Sequence, residues 1–274
     1  MTDGSIALAL GGGSALGWAH IGVLRVLEEE GISVRAIAGT SIGALAAVAY
    51  ASGRLNVLEQ IARDTTRRRV LGYLDPALGR GAWLGGRRVA RQLATHFAGI
   101  RLEALPIPIA LVAADLDTGE EVRLTSGPAD SAVSASIALP GLFRPVPRDG
   151  RVLIDGGMVA NVPIAAARAL VPRLPVVAVD LMGDYAGHAR AAGPALRRSA
   201  TGAVRSAFLM MMAQQTRQAA RIDPPDVLVT MPVGHIGTGA FARAAELIQI
   251  GALRTRAAMP AIRALQSACK SGTP

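Results

Sequence analysis

The sequence predicts an α/β domain, a central and largely parallel sheet flanked by helices. Two near-continuous apolar runs, Ile6–Leu10 and residues 176–181, read as strands buried on both faces, the mark of a parallel sheet. Helix-like stretches of apolar residues spaced three and four apart follow the strand-like runs. The junctions between the two are rich in glycine, with 31 glycines in 274 residues. Together these features favour layered α/β architecture over a bundle or a sandwich.

The first strand, Ile6–Leu10, stops at three glycines. Residues 17–30 then place Ile21, Leu24 and Leu27 on one helical face, with Gly31 as a stop. A strand over 34–38 leads through Gly39-Thr40-Ser41-Ile42-Gly43 into a helix over Ile42–Ala51, and a second helix with a basic outer face covers 55–68. Residues 72–86, with Pro76 and Trp83 among glycines, read as a lid-like loop, and 87–97 as an amphipathic helix. Strands over 107–113 and 122–125 are joined by a turn at 117–119. A small-residue helix covers 129–139, and a strand over 152–154 runs into Asp155-Gly156-Gly157. Beyond it come a helix over 163–170 opened by Pro163, the strand 176–181, a helix over 201–220, a strand at Val227–Thr230 and a last helix over 241–259. Residues 183–194 carry little periodic signal and are expected to be mobile. No repeat or linker splits the chain, so one domain spanning 1–274 is expected.

Composition narrows the function. The chain is 51% hydrophobic and 18% charged, enough for a sizeable core and unlike a disordered chain. The net charge is +9, and of the 29 basic residues only Lys270 is a lysine, the rest being arginine. Such a charge attracts anionic surfaces, lipid or nucleic acid. Aromatics that could stack on bases make up only 3%, and no zinc-finger or helix-turn-helix pattern occurs, so nucleic acid is set aside and a lipid surface preferred. The lone Cys269 excludes an internal disulfide. The first ten residues lack a basic n-region and make a poor signal peptide. Residues 36–53 carry no charge but are broken by Gly39–Gly43, so they read as strand, turn and helix, and not as a membrane span. A cytoplasmic protein with peripheral contact to an anionic membrane is the expectation.

Three glycine-rich strand ends carry the chemistry. Gly39-Thr40-Ser41-Ile42-Gly43 is a GxSxG between a strand and a helix. A nucleophile on so tight a turn needs neighbours without side chains, and the following helix aims its first amides at negative charge near Ser41. The amides of Gly11, Gly12 and Gly13 can turn toward one anion, a phosphate or the oxyanion of a tetrahedral intermediate. A dinucleotide loop sits in the same place, but Gly11, Gly13 and Gly17 make GxGxxxG, and the second strand ends in Gly39-Thr40-Ser41 where a ribose-binding acid would stand. Asp155-Gly156-Gly157 is the third, and it is expected at the carboxyl edge of the same parallel sheet. The order Ser…Asp…His of other hydrolases would leave His188 or His235 as base, though both read as ordinary loop residues, while His20 and His96 fall inside predicted helices. No HExxH or CxxC spacing occurs, and neither metal nor cofactor is expected.

In this order the motifs resemble the patatin-like phospholipases, in particular their compact bacterial branch. LGGGSALGWAHIGV (10–23) is similar to the oxyanion loop and first helix, IAGTSIGA (37–44) to the nucleophile elbow, and LIDGGMVANVP (153–163) to the Asp-Gly-Gly segment. AADLDTG (113–119), ASIALPGLFRPV (135–146) and residues 226–251 resemble the central and C-terminal portions. The resemblance implies hydrolysis of lipid acyl esters by a dyad of Ser41 as nucleophile and Asp155 as base, with Gly11, Gly12 and Gly13 as oxyanion donors. It departs at Leu16, where relatives carry Arg or Lys, which puts recognition of a phospholipid head group in question. The readings from other classes are a non-catalytic lipid-binding protein of the same fold and a Ser-His-Asp esterase or thioesterase acting on soluble esters.

Overall fold

A computed structural model of the protein describes residues 4–66, 95–191 and 199–271. The expected loop 72–86 and residues 87–94 of the expected helix lie outside these residues. The core is one eight-stranded sheet: β1 (Ile6–Leu10), β2 (Val34–Thr40), β3 (Ile109–Asp115), β4 (Glu121–Leu124), β5 (Val146–Arg148), β6 (Arg151–Asp155), β7 (Val176–Asp180) and β8 (Val227–Thr230). Its order is β5-β6-β3-β2-β1-β7-β8, with β4 paired to β3 off this path. From β3 through β2, β1 and β7 to β8 the pairing is parallel, whereas β4 and β6 run antiparallel to β3 and β5 antiparallel to β6.

Side-chain alternation divides the core into two unequal layers. From β1, Ile6, Leu8 and Leu10 enter the larger layer, together with the helices α1 (Ala19–Glu29), α2 (Ile42–Ala51) and α3 (Leu55–Asp64). Ala7 and Ala9 face the other side and, with Ala36, Ala38, Ala110 and Ala178, make a shallow surface. After α4 (Ala129–Ser136), the seven-residue α5 (Ile164–Leu170) packs on those alanines through Ile164, Ala166 and Ala167. Small side chains on the sheet let so short a helix lie close and still exclude water.

Three more helices complete the described chain: α6 (Tyr185–Ala191), α7 (Ala200–Ile222) and α8 (Ala244–Ser271). The helix α8 crosses α1 where each has a glycine. A methyl on Gly22 would fall 2.0 Å from the Ile248 carbonyl oxygen, and one on Gly251 would fall 2.0 Å from that of Ala19. The acids that end α1 pair with α8, Glu29 with Arg256 and Glu30 with Arg263. No helix among the described residues is long and apolar enough to cross a membrane.

Several expectations need correction. A helix, α6, forms in the segment where the sequence shows little periodic signal, with Asp184 Oδ1 accepting from the Gly187 amide at 3.0 Å. Pro260 lies inside α8 and does not end the helix near Met259. The helix expected from Gly17 begins instead as a 3₁₀ turn at Ser14–Trp18. Most important for the site, β6 runs antiparallel to β3, so Asp155 reaches the carboxyl edge of the parallel strands from the opposite direction to Ser41.

Candidate active site

The register of β3 explains how Asp155 reaches the elbow from an antiparallel strand. Thr40, the last residue of β2, stands opposite Val112, and the next residue of β3, Ala113, stands opposite Asp155. Ser41 and Asp155 thus arrive at the same level of the sheet from opposite directions. The Ser41 hydroxyl donates to Asp155 Oδ2 at 2.7 Å. Ser41 is 9% exposed and Asp155 3%, so both members of the pair are largely shielded from water.

Sterics make the elbow tight. Ser41 has φ 56 and ψ −122, a conformation unusual for a residue with a side chain. A methyl on Gly39 would fall 2.4 Å from the Gly43 carbonyl oxygen, and one on Gly43 would fall 2.2 Å from that of Leu10. Those contacts bring the start of α2 onto the end of β1. Two hydroxyls hold the turn in place. The Ser41 amide donates to Ser136 Oγ at 2.8 Å, and Thr40 Oγ1 donates to the Ala160 carbonyl at 2.7 Å.

Burial raises the Asp155 carboxyl from 3.8 to about 6, while the hydrogen bonds from the Ser41 hydroxyl and the Gly157 amide draw it partly back. The Gly157 amide donates to Asp155 Oδ1 at 2.7 Å, so the turn after β6 orients the carboxylate. No histidine bonds to either residue among those described. His235 pairs with Glu246 at the surface, and His188 lies in α6, where burial lowers its pKa.

The glycine loop is arranged differently from expectation. The Gly11 amide donates to the Val179 carbonyl at 3.0 Å and the Gly12 amide to the Asn161 carbonyl at 2.9 Å. Both are therefore taken up by backbone. The amides of Gly13 and Ser14 have no partner among the described residues, and Ser14 has φ 53. His20, expected only as a helix residue, fixes this loop from below. Burial lowers its pKa to about 4, so the ring is neutral at pH 7, and its Nε2–H donates to the Gly11 carbonyl at 2.8 Å. Leu16 is wholly buried in the larger core layer, so this position faces protein and not solvent.

A further set of residues ties α7 to the site. Gln215 accepts from the Asn161 amide at 2.8 Å and donates to the Met158 carbonyl at 2.9 Å. Asn161 Nδ2 lies 3.4 Å from Thr216 Oγ1. Neither Gln215, Thr216 nor Ser136 was singled out from sequence. The only signal for them was polar residues at otherwise apolar helical positions. Among the described residues no group of three or more acidic, histidine or cysteine side chains could hold a metal ion.

Comparison with known proteins places the chain. The family described as Patatin-like phospholipase matches residues 8–168. An uncharacterised NTE family protein of Mycobacterium tuberculosis (strain ATCC 25618 / H37Rv) is 40% identical over 189 residues, 69% of this chain and 52% of that protein. A neuropathy target esterase of Drosophila melanogaster is 34% identical over 169 residues, 60% of this chain and 12% of that protein. The crystal structure of VipD from Legionella pneumophila aligns at 13% identity with a TM-score of 0.49, over 95% of this chain and 67% of that one. The chain spans about half the length of the first mycobacterial relative. With the family's sequence pattern running through β1, the elbow, the Asp-Gly-Gly turn and α5, this chain belongs to the patatin-like phospholipase family.

Proposed function

We propose that the protein is a serine acyl hydrolase that cleaves lipid acyl esters with Ser41 as nucleophile and Asp155 as general base. The observation that carries this reading is the 2.7 Å hydrogen bond from a strained, elbow-mounted serine hydroxyl to a buried carboxylate. Ser41 Oγ attacks the ester carbonyl carbon as its proton passes to Asp155, and the alcohol leaves with that proton. A carboxyl raised to about 6 is still ionised at pH 7 and is a stronger base than an exposed aspartate.

The oxyanion needs donors that are not already engaged. The amides of Gly13 and Ser14 suit that role, while Gly11 and Gly12 shape the loop that presents them. The start of α2 adds favourable potential beside Ser41. The family name and the net charge of +9 support a lipid substrate presented at an anionic surface, met peripherally.

The test compares turnover of short and long p-nitrophenyl esters with that of phospholipid vesicles, for wild type and Ser41→Ala. Turnover of long-chain or vesicle substrate that disappears in the variant supports the reading. Absence of any turnover by wild type, or its persistence in Ser41→Ala, overturns it.

A further inference from the structure

Asn161 is 1% exposed, and its Oδ1 is buried without a hydrogen-bond partner. The orientation of the carboxamide follows from its neighbour. The Thr216 hydroxyl donates its proton to the Met212 carbonyl at 3.1 Å, so toward Asn161 its oxygen only accepts. The group facing Thr216 is therefore the NH₂, and Oδ1 is the atom turned toward the catalytic residues.

Two glycines report where that oxygen points. A methyl on Gly12 would lie 2.9 Å from Asn161 Oδ1 and 3.3 Å from Ser41 Cβ. A methyl on Gly157 would lie 3.0 Å from Asp155 Oδ1 and 3.7 Å from Asn161 Oδ1. The orphan acceptor thus shares with the nucleophile and the base the two places where the chain carries only hydrogen. Beside Gly157 the nearest atom to such a methyl is the Met212 methyl at 2.9 Å, the end of a flexible side chain. An unsatisfied acceptor in a polar niche is costly unless something donates to it during function.

Resting on the hydrolase reading, we propose that Asn161 Oδ1 orients the water that releases the acyl group. A water molecule that donates both of its protons is held so that one of its lone pairs can be aimed. One O–H donates to Asp155 and the other to Asn161 Oδ1, which turns the lone pair toward the acyl carbon on Ser41. The water oxygen bonds to that carbon, its first proton passes to Asp155, and the carbonyl oxygen takes the negative charge. The tetrahedral intermediate then expels Ser41 Oγ, which recovers the proton from Asp155, and a carboxylic acid leaves. Acylation uses the ester, Ser41 and Asp155 but no water, so only the second half of the cycle needs this acceptor.

The experiment isolates the acyl-enzyme formed with p-nitrophenyl butyrate and follows its decay by intact mass, beside the rate of the p-nitrophenol burst. In Asn161→Ala the acyl-enzyme should accumulate and decay about 100-fold more slowly, with the burst rate within about threefold of wild type. Methanol, which has one O–H and cannot donate to both acceptors, should capture a larger share of the acyl group in the variant than in wild type. Thr216→Val, which keeps the side-chain shape and frees the carboxamide to rotate, should slow decay about tenfold and carries the test should Asn161→Ala not fold. Burst and decay slowed equally, an unchanged methanol share, or wild-type decay in Thr216→Val would each overturn the proposal. Failure of wild type to acylate at all would instead overturn the hydrolase reading.

Discussion

Ser136 lies directly beneath the amide of Ser41: its Oγ accepts from that amide at 2.8 Å and donates its own proton to the Val112 carbonyl at 2.6 Å. One buried hydroxyl from α4 therefore links the backbone of Ser41 to the central strand β3. Ser136→Ala leaves a buried donor and a buried acceptor unpaired, which costs on the order of 1–3 kcal/mol in denaturant unfolding. Because the elbow loses its brace, kcat should fall about 10- to 100-fold, with KM nearly unchanged. A variant as active as wild type would show that the elbow holds its shape without the hydroxyl.

The backbone strain at Ser41 has its own signature. Ser41→Ala and Ser41→Gly should both lose turnover and labelling by a fluorophosphonate probe. Glycine adopts φ 56 and ψ −122 without a side-chain clash, so the glycine variant should be the more stable by about 1 kcal/mol. Equal unfolding midpoints would mean that the elbow stores no strain.

Asp155 ties activity and stability to pH in opposite senses. As a general base it must be ionised, so kcat/KM should fall on an acid limb centred near pH 6. For stability, the folded state raises this carboxyl above its unfolded value of 3.8 and so favours the neutral form. Its contribution is complete below about pH 4 and is lost as pH climbs through about 6, leaving a buried carboxylate that costs on the order of 2–3 kcal/mol. Asp155→Asn should be inactive yet melt higher than wild type above pH 7, with the gap closing toward pH 4. A gap that does not change with pH would contradict the shifted carboxyl.

Two substitutions in the glycine loop should fail for different reasons. Gly12→Ala puts a methyl between Asn161 Oδ1 and Ser41 Cβ, so kcat should drop by about 100-fold or more while the fold persists. Leu16→Arg restores the family's cation but places it in the core, and should lower unfolding stability by at least about 3 kcal/mol without improving turnover of anionic phospholipid. Soluble Leu16→Arg protein with wild-type stability would mean that the loop can turn this side chain out to solvent.

The features legible in the sequence were those that depend on local pattern. Apolar runs marked β1, β2, β3 and β7, and the glycines around Ser41 and after Asp155 marked both site residues. What escaped depends on pairing across long separations. The three-residue β5 contains Pro147 and becomes a strand only against β6, so nothing local announces it. The antiparallel direction of β6 is equally invisible in five residues. Gly12 was expected for its amide, but its side-chain direction is also closed, by Asn161 and Ser41 from elsewhere in the chain. The amides of Gly11 and Gly12 looked available because their acceptors, Val179 and Asn161, come from distant segments. Ser136, Thr216 and Gln215 act through hydrogen bonds to residues far along the chain, which no spacing encodes.

The position of β1 between β2 and β7 governs how the chain can be shortened. The family match ends at residue 168, but β7 begins at Val176 and pairs with β1 from Ala7 to Leu10. A chain cut at residue 168 would turn an interior strand of Ile, Ala and Leu into an open edge, with a row of unpaired amides beside the glycine loop. Such an edge templates association with another copy, so the shortened protein should sediment as aggregates and bind thioflavin T, while the full chain does neither. The family-matched segment and the smallest unit that covers β1 on both sides therefore have different boundaries, and the second is set by which strand lies next to the first.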